Sequence, residues 1–136
     1  MTTMTTFESG AGLRTALRVD GWSTGVFGAF LLATAPLLRD PLGLPTPWSI
    51  PFGVGMLGGA AALLLIARHP RLSSRLAAVI VAVNALSAVL MVDLAVINLI
   101  PLTNGGRVFL LAGATFVASF AVLEFAGLRR RGPVTP

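Results

Sequence analysis

Cysteine, tyrosine and lysine are absent from this 136-residue chain, histidine occurs once, and only five residues are acidic. Each gap removes a class of chemistry. Without cysteine there are no disulfides, no thiolate metal sites, no Fe–S clusters and no thiol redox centre. The single histidine, His69, is too few for a haem held by two histidines. No nucleophile stands near a plausible base, and His, Asp and Glu never recur at metal-ligand spacing. Phosphate-binding and dinucleotide-binding fingerprints are missing too: Gly53-Val54-Gly55 falls inside an apolar run, where glycine serves packing. The sequence predicts no enzyme activity, no metal and no cofactor.

Charge is also scarce. Only 11% of residues are charged and 55% are hydrophobic, where a soluble domain carries about a quarter charged residues. What the chain does have is long apolar runs: Val19–Leu38, Ile50–Ala67, Leu76–Ile100 and Val108–Leu128. A membrane-crossing helix needs about 20 apolar residues, and backbone in lipid must satisfy its own hydrogen bonds. Runs without polar alternation argue against a β-barrel. The expectation is an all-α fold, a transmembrane up-down four-helix bundle over residues 13–128. A polar tail (1–12) precedes it and a basic tail (129–136) follows.

The arginines set the expected orientation. Arg14, Arg18, Arg68, Arg71, Arg75, Arg129, Arg130 and Arg131 fall on one side of the spans, and only Arg39 and Arg107 on the other. Positive residues stay cytoplasmic, so both termini are expected inside a bacterial plasma membrane. The net charge of +5 is explained by this topology, with no call on nucleic acid. Ala33-Thr34-Ala35 imitates a signal-peptidase site, but Pro36 would follow the cut, so span one is read as uncleaved.

Small residues mark expected helix seams: Gly21, Gly25, Ala29 and Ala33 in span one, and Gly55 with Gly59 and Gly58 with Ala62 in span two. They fit packing within one bundle or a seam between copies. The first outer connection, Arg39–Pro51, holds four prolines and reads as a stiff, non-helical loop in the interface, or as a docking surface, with Trp48 at headgroup level. Pro70 is expected to end span two, and Ser73 or Ser74 to cap span three. His69 reads as a solvated loop residue. Asn104-Gly105-Gly106 reads as a turn.

Asp93 in span three is the leading intramembrane candidate, since an ionised Asp near a span centre costs about 2.5–3.5 kcal/mol. Arg107 and Arg39 are its candidate partners. Structural pairing, contact with another subunit, and proton or ion handling all remain open for it. Asn84, Ser87 and Asn98 form a polar stripe with Met91 and Leu94, on a different face from Asp93. Asp20 and Glu124 are expected near the cytoplasmic ends of spans one and four, in an interfacial charge cluster with Arg14 and Arg18.

From Leu13 to Arg131 the chain resembles small four-span integral membrane proteins of actinobacterial type. The residues that carry this are Leu13-Arg14-x-Ala16-Leu17-Arg18-x-Asp20, Thr24-Gly25-x-x-Gly28, Leu42-Gly43-Leu44-Pro45 and Val83-Asn84. The resemblance implies a fold and no activity. Small multidrug-resistance transporters differ, having a central glutamate in their first span where this chain has Asp20 at the edge. The expected function is a non-enzymatic accessory or assembly subunit of a membrane complex, or a homo-oligomer. Its partners are the lipid bilayer and another membrane subunit or itself. The alternative is a small proton- or ion-coupled transporter or channel using Asp93.

Overall fold

The computed structural model of the chain describes residues 2–130, with side chains from Gly12 onward. Of the expected basic tail, Arg129 and Arg130 belong to the last helix, and residues 131–136 lie outside the described residues. The fold is all-helical, with four helices: α1 (Thr2–Leu42), α2 (Thr46–Arg68), α3 (Ser74–Val96) and α4 (Asn104–Arg130). All four are long and apolar enough to cross a membrane, α1 over Gly12–Leu42. The polar stretch expected as a separate N-terminal tail is continuous with α1 from Thr2.

The proline-rich outer loop is shorter than its composition suggests. α1 continues through Pro36 and Pro41 to Leu42, and α2 starts at Thr46. Only Gly43, Leu44 and Pro45 lie between them. Proline is tolerated in the first helical turn, where the N–H it lacks would have no partner. Pro47 takes that place in α2, after Pro45 at the N-cap. Gly43 makes the reversal with φ +65°, and a side chain there would also run into the backbone at Pro101–Thr103. Trp48 consequently sits in the first turn of α2. It is half-buried and packs beside Phe52 at 5.8 Å, against a cluster of Leu31, Leu44 and Ile100.

The inner link follows expectation: Ser73 is the N-cap of α3 and accepts a hydrogen bond from Leu76 N at 3.3 Å. The second outer connection does not. α3 ends at Val96, four residues early, and Asn98 adopts φ 57° just beyond it. Asn104-Gly105-Gly106 is the first turn of α4, because the Thr103 hydroxyl accepts from Gly106 N at 3.0 Å and donates to the Pro41 carbonyl. A serine or threonine in this position satisfies one of the orphan N–H groups of a helix start.

α1 packs against α2 and against α4, and α4 packs against α3. α2 and α3, though joined by the short inner link, do not lie side by side. The α1–α2 contact is close because Gly28 faces Gly53. A Cβ on Gly28 would stand 3.0 Å from the Gly53 carbonyl oxygen and 3.2 Å from Leu57 N. A second apolar cluster, of Leu13, Leu17, Leu63, Ala67, Leu72 and Ala77, closes the opposite end of the helices. Large apolar side chains such as Val26, Phe30, Leu65, Val83 and Val122 point outward. In lipid that exposure costs nothing, and helices associate through close packing and polar contacts instead.

Gly28→Leu should therefore break the α1–α2 contact, because the obstacle is backbone and no rotamer relieves it. The expected loss is about 1–3 kcal/mol, read as a lowered midpoint of thermal unfolding in detergent. Gly12→Leu, where a Cβ meets nothing within 4 Å, should leave the midpoint unchanged.

Candidate functional site

The polar residues that come together are Asp20, Asn84 and Glu124, one from each of α1, α3 and α4. Asp20 is 4% exposed and Glu124 is fully buried. The Asn84 side-chain amide lies between them. Its nitrogen donates to Asp20 Oδ2 at 2.9 Å and to Glu124 Oε2 at 2.9 Å. Thr24, one turn along α1, donates its hydroxyl to Asp20 Oδ1 at 3.0 Å. Glu124 Oε1 is buried without a hydrogen-bond partner.

Depth separates this arrangement from an interfacial ion cluster. Asn84 stands midway along α3. Glu124 lies six residues before the end of α4, about 9 Å at 1.5 Å per residue. The arginines expected beside the carboxylates are elsewhere. Arg14 donates to the carbonyls of Ala67 and, at 2.8 Å, His69, and so ties α1 to the end of α2. Arg18 and Arg75 are exposed. Arg129 is exposed over the Phe125 ring. Among the described residues, the side-chain hydrogen bonds to the two carboxylates come from Asn84 and Thr24 alone.

Asp93 has a different setting. It lies in the last turn of α3 and its backbone carbonyl accepts from Ile97 N. Its carboxylate is exposed, on a shallow groove between α3 and α4 lined by Ala88, Val92, Leu111, Ala114, Thr115 and Ala118. Neither expected cation reaches it: Arg107 donates to Asn98 Oδ1, and Arg39 is exposed near the end of α1. The expected polar stripe is divided. Asn84 turns into the cluster, Ser87 is half-buried, Met91 packs on Gly113, and Asn98 has left the helix. His69 is the exposed C-cap of α2 and its Nδ1 accepts from Arg71 N at 3.2 Å.

The small-residue seams are divided as well. Gly21 and Gly25 face Leu63, Leu64 and Ala60 of α2, as seam residues should. Ala29 is exposed. Gly55, Gly58 and Gly59 meet nothing within 4 Å and, with Ala62, form an exposed stripe on α2.

Replacing Asn84 with Ala removes its hydrogen bonds to both buried carboxyl groups. A hydrogen bond to a charged group contributes about 1.5–3 kcal/mol, so Asn84→Ala should lower thermal stability in detergent by at least that amount. Val83→Ala, at an exposed position on the same helix, should change it little.

No family model, no curated protein and no solved structure matches this chain, so the resemblance to four-span actinobacterial membrane proteins rests on the residues quoted for it.

Proposed function

We propose that this is a non-enzymatic, multi-pass protein of a bacterial plasma membrane that works by lateral association. It would serve as an accessory or assembly subunit, or as a homo-oligomer. The observation that carries this reading is the exposed stripe Gly55, Gly58, Gly59 and Ala62 on α2. Glycine within a helix costs about 1 kcal/mol each relative to alanine. On α1 that cost is offset by close approach of a neighbouring helix. On α2 the stripe has no neighbour among the described residues, and small residues at four-residue spacing are the surface on which another membrane helix packs closely.

Asp93 supports the same reading. An exposed acid beside a groove floored by alanines suits a polar contact from a neighbouring helix. Its position on the outer surface favours lateral contact over ion passage through the chain. An up-down course is supported by contacts that pair opposite ends of packed helices: Leu13 with Gly127, Gly21 with Leu64, and Met91 with Gly113. The eight arginines on one side support cytoplasmic termini.

The absence of cysteine makes single-cysteine crosslinking clean. Gly59→Cys should crosslink in native membranes, to a second copy or to another subunit, while Val122→Cys on the lipid-facing side of α4 should not. Mild-detergent pull-down with mass spectrometry then separates self-association from a foreign partner. The double change Gly55→Leu and Gly59→Leu should keep helicity and unfolding midpoint but weaken association at least tenfold, about 1.4 kcal/mol. A lone monomer in membranes, with no crosslink at Gly59→Cys, would rule the reading out.

A further inference from the structure

The carboxylates of Asp20 and Glu124 are buried together, and the hydrogen-bond donors that reach them are neutral. Two formal negative charges in a low-dielectric interior need a cation, because unpaired buried charge costs several kcal/mol per ion. The neighbouring elements do not supply one. On α1 the nearest charged groups are Arg14, held by the carbonyls of Ala67 and His69, and exposed Arg18. On α4 they are Arg129 and Arg130, both exposed. On α3 they are Arg75 and Asp93, nine residues to either side of Asn84 and also exposed. On α2 they are Arg68 and His69, exposed at the helix end.

The geometry selects among cations. The Asn84 nitrogen occupies the space between the carboxylates, 2.9 Å from an oxygen of each. A metal ion bridging the pair would need that space and would be repelled by the N–H groups. Among the described residues no three His, Asp or Glu side chains gather into a metal-ligating group. A proton needs no cavity. Asp20 already accepts from two donors, Thr24 and Asn84. Glu124 accepts from one and has the orphaned oxygen.

We propose that the Asp20–Asn84–Glu124 cluster is a proton-binding site, in which one exchangeable proton is carried on Glu124 Oε1. With the proton bound, the cluster has a single negative charge and joins α1, α3 and α4. Its release to water leaves two carboxylates on one amide and weakens the only side-chain hydrogen bond described between α1 and α3. The site is independent of lateral association.

The test is infrared spectroscopy of the full-length protein in liposomes. At neutral pH the wild type should show the C=O stretch of a protonated carboxylic acid. The band should fade as pH is raised and be missing from Glu124→Gln, whose amide keeps the size of the side chain. Asp93→Asn should retain it. Absence of the band from the wild type at neutral pH, or its persistence in Glu124→Gln, would overturn the proposal. If Glu124→Gln does not fold, Asp20→Asn decides: it removes the carboxylate buried on the same amide and must shift the band, so an unshifted band overturns the assignment to this pair. Exchanging choline for sodium at constant ionic strength should leave the band in place. Its loss in sodium would mean that a metal cation occupies the site, and the proposal would fall.

Discussion

The association of α3 with α1 depends on one amide. α3 packs along α4, but its approach to α1 comes through a few small apolar contacts and through Asn84, which donates to carboxylates on both neighbours. In water this would be a minor contact. In lipid the apolar faces of α3 gain nothing from burial, so close packing and hydrogen bonds decide which helices stay together. Few residues of α3 are buried, and those are alanines: Ala77, Ala88 and Ala95. A helix so exposed keeps its place through the polar contact near its midpoint, and that contact brings two carboxylates with it.

The α1–α2 pair is held by a different device. Gly21, Gly25 and Gly28 meet Gly53, Ala60 and the leucines at 63 and 64 with little side chain between the backbones. Arg14 closes one end by donating to the last carbonyls of α2, where the helix dipole also favours a cation. These contacts are rigid and neutral along most of their length. The polar cluster lies across the other face of α1. α1 therefore has two seams, one of glycine and one of carboxylate and amide, and it contacts every other helix.

Much of the fold was legible in the sequence because lipid imposes length and apolarity on every span. The four helices and the Ser73 cap follow from that constraint and from standard helix signals. Helix ends were less legible. Proline read as a loop former at Pro41, Pro47 and Pro51 is instead accommodated within helices, and Thr103 starts α4 earlier than its Asn-Gly-Gly suggests. Of the small-residue pattern, Gly21 and Gly25 point inward and the rest outward, and spacing alone does not say which. The candidate site was only partly legible. Asp20 and Glu124 were expected in one cluster, but with arginines; that Asn84, 64 and 40 residues away from them in sequence, joins them was not legible.

One signal for that meeting was present and was outweighed by proximity in sequence. At about 100° per residue, Arg18 lies roughly 200° around α1 from Asp20, and Arg14 roughly 240°. Neither shares its face, whereas Thr24, at i+4, does and donates to it. Arg129 and Arg130 follow Glu124 at i+5 and i+6, off its face as well. Helical phase thus separates both acids from the described cations nearest them in sequence and turns both toward the interior. Asn84, midway along α3, is the polar side chain that reaches them there. A carboxylate kept from its arginines by phase, in a chain with no lysine and few other cations, is left with amides, hydroxyls and protons as its means of neutralisation. The sequence therefore determines the chemistry of the cluster as much through where it withholds positive charge as through the three residues it brings together.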